Sequence, residues 1–322
     1  MKLAMVVLVL TLAIDVEAQN TAAPPTMSSA VRFGSNPRIA SHLASLRVEA
    51  DNGNRQAQLL LGGAYEYGLG TNLDYRQAAE WYRKAADQGL PEAQGKLGLF
   101  YLTGSGVERD YRAALNWFLR GATQGDVGAQ VNLSYMYCHG VGVKRDLYEA
   151  FRWMSKAADH GLPIADSYLA DMYEQGVGIE RNFAKALKYY RQAARMRYGP
   201  AENGLGVMYL CGEGVRQDFD RSAKWYRQAM MHGSEVAEVN LAVAYHYGLG
   251  VTRDRTEATR LLEDAAARGS ILAHALRLPL AEASWPSFRT ADVVRDSCLM
   301  PSSAPKDAII LIAKETSWSN LE

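Results

Sequence analysis

Between Gly53 and Gln88 apolar residues recur in two stripes, each at helical spacing. Ala57, Leu61 and Tyr65 stand four apart, and Ala78, Trp81, Tyr82, Ala85 and Ala86 follow at three-to-four-residue intervals. The spacing predicts a helix A, a turn and a helix B. The unit then returns until six copies have passed, each displaced by 36 residues without insertion or deletion. Trp81, Trp117, Trp153, Tyr189, Trp225 and Leu261 form one column of the repeat, and Tyr65, Tyr101, Tyr137, Tyr173, Tyr209 and Tyr245 form another. The chain is therefore a repeat array.

Local chemistry agrees with that division. Gly68 and Gly70 recur in every copy as a Gly-x-Gly turn that ends helix A. Asp74 heads a column of Asp110, Asp146, Asn182, Asp218 and Asp254, whose side-chain oxygens suit the free amides at the start of helix B. Helix B runs toward Gly89, and Pro91 suits the opening of the next helix. Neither helix can bury its stripe alone, so successive pairs must stack and share one core. The column Gly62, Gly98, Ser134, Ala170, Gly206 and Ala242 is small enough to let helix A approach its partner closely. If the indole of Trp117 is core, Trp117→Ala costs about 3 to 5 kcal/mol.

The ordered motifs Ala-x-x-x-Leu-Gly-x-x-Tyr, Gly-x-Gly-Val, Asp-Tyr, Ala-x-x-Trp-Tyr and Ala-Ala-x-x-Gly resemble the Sel1-like repeat family over about residues 53–268. The resemblance implies an all-α, right-handed α-solenoid of helix-turn-helix repeats, a tetratricopeptide-like superhelix. It also implies an adaptor, scaffold or regulator that binds other proteins, which the fold alone would not establish.

The flanks read differently. Residues 1–18 combine Lys2, an apolar run from Leu3 to Ile14 and small residues before Gln19, which predicts a cleaved signal peptide with the cut near Ala18. The run is too short to serve comfortably as an anchor, so the mature chain is expected to have no transmembrane segment and to be exported, periplasmic or secreted. Residues 19–36 form a flexible leader rich in Ala, Pro, Thr and Ser. Residues 37–52 align with helix B and form an N-terminal capping helix. After the repeats at 53–268, a C-terminal capping helix is expected at 269–283 and an irregular tail at 284–322. Arg197 stands where the other copies have a glycine, so helix B is expected to run about two residues further, to Gly199.

Composition narrows the chemistry. Lys+Arg and Asp+Glu each number 35, leaving no basic excess for nucleic acid. No histidine pair has ligand spacing on one helix, so neither metal nor cofactor is expected. Cys138 and Cys211 lie two repeats apart, about 20 Å at helix-packing distances, and should not bridge. Three unbridged thiols are the expectation, with Cys298 available to a partner. The alternative to a non-catalytic scaffold is a cell-wall or β-lactam-acting hydrolase, since some Sel1-like proteins are described as penicillin-binding or β-lactamase-like. Those carry a cysteine pair in each repeat, which this chain lacks. Ser303 and Lys306 spell S-x-x-K, yet in a Pro-rich tail without the companion motifs.

In the superhelix that the resemblance implies, helix A lines the concave groove. Its positions outside the Ala/Leu/Tyr stripe are free to vary. Lys96, Asn132, Tyr135, Ser167, Tyr168, Asp171, Asn203 and Asn240 are the candidate groove residues for a protein or peptide partner. Amides can pair with an extended backbone, and the tyrosines offer flat apolar contact.

Overall fold

The computed structural model describes residues 37–270 and 273, and among these the only regular elements are helices. They fall into two compact units that divide after Asp146. The first holds α1 (Pro37–Asp51), α2 (Arg55–Tyr67), α3 (Tyr75–Asp87), α4 (Pro91–Thr103), α5 (Tyr111–Thr123) and α6 (Val127–His139). The second holds α7 (Leu147–Ala158), α8 (Pro163–Gln175), α9 (Phe183–Arg195), α10 (Gly199–Cys211), α11 (Phe219–Met231), α12 (Glu235–Tyr247) and α13 (Arg255–Ala267). No helix among the described residues is long and apolar enough to cross a membrane. The leader, the tail, Cys298 and the Ser303/Lys306 motif lie outside the described residues, as does nearly all of the expected C-terminal capping helix.

The helices start and stop where the repeat's polar punctuation places them. The Asp74 carboxylate accepts from the amides of Arg76 at 2.9 Å and Gln77 at 3.1 Å, and Asp110, Asn182, Asp218 and Asp254 cap their helices in the same way. Gly68 closes α2 in the left-handed conformation, φ 65°.

Packing pairs a large residue on helix B with a small one on helix A. Tyr82, Phe118, Met154, Tyr190, Tyr226 and Leu262, one position after the tryptophan column, are all but inaccessible. A Cβ built on Gly62 would lie 2.6 Å from the Tyr82 ring, one on Gly98 2.7 Å from Phe118, and one on Gly206 2.4 Å from Tyr226. The small column is therefore the seat of the neighbouring ring. The tryptophan column is less uniform. Trp81 and Trp153 are buried, but Trp117 is only partly covered, with the Arg120 guanidinium 4.8 Å from its ring centroid. The expectation of a fully core indole at Trp117 is thus corrected: the central position belongs to Phe118.

A second correction concerns Arg197. Helix α9 is not extended, ending at Arg195 like its counterparts, and Arg197 itself takes the left-handed turn at φ 58°. Gly199 cannot substitute, because it opens α10 against the C-terminal end of α11. A Cβ there would lie 2.9 Å from the His232 carbonyl oxygen and 3.0 Å from that of Ala229. The stacking register overrides the local preference for glycine at the turn. Arg197→Gly is expected to stabilise the protein by about 1 kcal/mol by relieving the left-handed strain. A urea midpoint that falls on substitution would refute that account.

The thiols are also unequal. Cys138 is free and buried, its thiol pushed up to about 12 by desolvation despite Arg145. Cys211 is disulfide-bonded, so the expectation of three unbridged thiols does not hold.

Candidate functional site: the exposed row of the A helices

Within each unit consecutive A helices pack on one another, α4 on α6 in the first, and α8 on α10 and α10 on α12 in the second. Side chains outside their apolar stripe therefore form rows. Lys96 on α4 points its Nζ at Glu66 Oε1, 3.4 Å away, and at the Tyr67 hydroxyl, 3.3 Å away. Glu66 also accepts from the Tyr82 hydroxyl, which ties Lys96 to the core through two bonds. Asn132 on α6 is partly buried, and its Nδ2 donates to the Gly128 carbonyl of its own helix at 2.9 Å. Tyr135 is 40 % exposed, its ring 4.2 Å from that of His139.

The second unit treats its candidates differently. Tyr168 is partly buried, whereas Ser167, Asp171, Asn203 and Asn240 are buried. Asp171 and Glu174 both accept from the Tyr190 hydroxyl, Glu174 at 2.7 Å, and burial beside Asp171 raises that phenol well above its ordinary value. The Nδ2 of Asn240 donates to Asn203 Oδ1 at 2.9 Å. The two amides are brought together as anticipated, but they bond each other in the interior, and Asn240 Oδ1 has no partner among the described residues.

One polar network went unread in the sequence although its signal was present. The column Gln58, Gln94, Gln130, Asp166, Glu202, Glu238 meets a second column 30 residues on. Gln88 donates to Gln58 at 2.7 Å and Gln124 to Gln94 at 2.8 Å. Later in the array a carboxylate replaces the glutamine, with His232 bonded to Glu202 at 2.7 Å and Arg268 paired with Glu238. The glutamines also cap the preceding helix B, Gln58 Nε2 donating to the Ala50 carbonyl at 3.0 Å and Gln94 Nε2 to that of Ala86 at 3.2 Å.

The pairing lapses at Gln130, whose Oε1 has no partner among the described residues, and again at Asp166, whose counterpart is the exposed Met196. Burial pushes the Asp166 carboxyl up to about 6, with Lys188 restoring part of the difference. The folded state thus binds a proton more tightly than the unfolded chain, and the residue's contribution to stability falls as pH rises from 3.8 to about 6. Asp166→Gln, which repeats the arrangement of Gln58, is expected to add about 2 kcal/mol at pH 7, a gain that shrinks toward pH 4. Urea titrations at both pH values check this, and an equal gain at each would exclude titration as the cause.

Among the described residues no group of three His, Cys, Asp or Glu side chains is placed to hold a metal ion.

Comparison with known proteins follows the same lines. The Sel1 repeat pattern matches residues 55–90, 91–126, 127–162, 163–198, 199–234 and 236–270. A protective antigen of uropathogenic Escherichia coli strains, displaying an SLR fold, is 37 % identical with a TM-score of 0.64; the alignment covers 76 % of this chain and 53 % of that one. This chain thus spans about half the length of that protein. A Sel1 repeat protein from Oxalobacter formigenes is 29 % identical with a TM-score of 0.65, over 74 % of this chain and 98 % of its own. No curated protein matches. Sel1 repeat proteins generally mediate protein–protein interaction. With its six matched copies stacked as paired helices in an all-α repeat fold, the chain belongs to the Sel1 repeat family.

Proposed function

We propose that the protein is a non-catalytic scaffold or regulator that captures a peptide or protein segment along its A helices, and that it works in the cell envelope after export. The observation that carries the reading is the row on α4 and α6. Tyr135 presents its ring to solvent, and Lys96 and Asn132 are only partly covered, so all three stand outside the apolar stripe that holds the repeats together. An exposed aromatic beside a lysine and an amide suits a segment whose backbone and side chains must both be met. The buried Asn203 and Asn240 support the stack instead, and the capture surface is assigned to the first unit. Export rests on the expected signal peptide of residues 1–18.

Placing benzoylphenylalanine at Tyr135 and irradiating envelope extracts tests the reading. A protein adduct that disappears when Lys96→Ala and Asn132→Ala are added, at unchanged helical circular dichroism, is the expected result. The same adducts from both proteins would remove this row from consideration.

A further inference from the structure

Away from the A-helix row, each unit carries a cavity at the same place in the repeat. In the first unit Arg83 of α3, Tyr101 of α4, Val107, Arg109, Asp110 and Arg112 line a space of about 900 Å³. In the second, Arg191 of α9, Tyr209 of α10, Val215, Arg216, Asp218 and Arg221 line one of about 600 Å³. Arg83, Tyr101, Val107 and Asp110 correspond, three repeats later, to Arg191, Tyr209, Val215 and Asp218. The recurrence in separate units, with three guanidinium groups each time, sets these apart from scattered surface charge.

We propose that the two cavities bind carboxylate side chains of an acidic protein segment. Arg83, Arg109, Arg112, Arg191 and Arg216 form no ion pair among the described residues, although Asp110 and Asp218 stand close by as helix caps. Several of the guanidinium groups are held in place by aromatic rings. Arg83 donates to the Tyr101 hydroxyl and lies 5.6 Å from that ring's centroid, and Arg109 lies 5.5 Å from Tyr111. Arg221 lies 5.6 Å from the Tyr209 centroid while pairing with Asp218 at 3.2 Å. A planar guanidinium already anchored by one edge keeps other N–H groups free for a carboxylate and loses little freedom on binding it. Val107 and Val215 add an apolar wall for the methylenes of a glutamate.

A polyanionic backbone fits these cavities less well. Each holds only three cations, interrupted by Glu108 and Asp110 in the first and by Asp218 in the second, and the whole chain has no net positive charge. This surface is independent of the A-helix row, and either reading can fail alone.

The test uses a fluorescein-labelled oligoglutamate peptide and fluorescence anisotropy at low ionic strength. Oligoglutamine, an oligothymidylate and phosphatidylglycerol vesicles serve as comparisons. The full chain is expected to bind oligoglutamate in preference to all three. Arg83→Gln/Arg112→Gln and Arg191→Gln/Arg216→Gln should each weaken binding about tenfold, as expected for losing charge-assisted hydrogen bonds. Arg195→Gln, an exposed arginine outside both cavities, should leave binding unchanged. Because Arg83 also bonds Tyr101, the single variants Arg112→Gln and Arg216→Gln, with circular dichroism, separate lost binding from lost folding. Equal weakening by Arg195→Gln would overturn the proposal by showing nonspecific charge attraction. Tighter binding of the oligonucleotide or of the vesicles would also overturn it.

Discussion

Phe118→Ala is expected to cost about 3 to 5 kcal/mol, while Trp117→Ala, one position earlier and bearing the larger side chain, costs markedly less. Phe118 is wholly inaccessible and packs on Gly98, which has no side chain with which to fill the space the ring leaves. Trp117 is partly covered and is flanked by the Arg120 guanidinium, so water and that side chain can close over a truncated site. The two positions should also differ in coupling. Gly98→Ala drives a methyl into the Phe118 ring in the wild-type background but partly fills the cavity in Phe118→Ala. The double variant is therefore expected to be more stable than the sum of the single losses implies. Chemical denaturation followed by circular dichroism reads all four proteins. Comparable losses at Phe118 and Trp117, or strict additivity with Gly98→Ala, would contradict the assigned packing.

Gly250→Ala is expected to cost about 3 kcal/mol or more, while Gly233→Ala costs about 1 to 2 kcal/mol. Both glycines have positive φ, 67° and 86°, so both substitutions carry left-handed strain. They differ in what surrounds them. A Cβ on Gly250 would lie 1.9 Å from the Phe219 carbonyl oxygen, whereas one on Gly233 meets nothing within 4 Å. The same close approach recurs within each unit, Gly106 and Gly142 facing Tyr75 and Tyr111, Gly178 and Gly214 facing Leu147 and Phe183. Each is the second glycine of a turn lying against the first residue of the preceding helix B. The position spaces one repeat from the next as well as reversing the chain. Thermal denaturation of the two variants decides the matter, and equal shifts would mean that backbone conformation alone accounts for the glycine.

The order of helices, their caps and the small column were legible in the chain because each depends on contacts within one repeat or on a strict 36-residue recurrence. The Asp74 column and Gly68 act on backbone groups only a few residues away, so spacing was enough to assign them. Which of two adjacent aromatic columns lies at the centre was not legible. Trp117 and Phe118 both fall on the apolar face of one helix, and only the approach of α4 decides which of them it covers. The pairing of Gln58 with Gln88 and of Glu238 with Arg268 was visible as residues changing together, yet it became interpretable only when stacking put the two columns in contact.

The candidate binding residues divide in the same way. Tyr135 and Asn132 were identified by being free of the stripe, and the structure leaves Tyr135 exposed and Asn132 partly covered. Asn203 and Asn240 satisfy the same rule in sequence but are enclosed by their neighbours and bonded to each other. Periodicity states which face of a helix is apolar, because that depends on the residues of the helix itself. Whether a polar residue beside that face meets solvent depends on how closely the next helix approaches, and that distance is set by side chains a full repeat away. The sequence by itself therefore determined the repeat and its helices, while the tertiary structure alone decided which aromatic column forms the core, which amides remain accessible, and where the arginines converge.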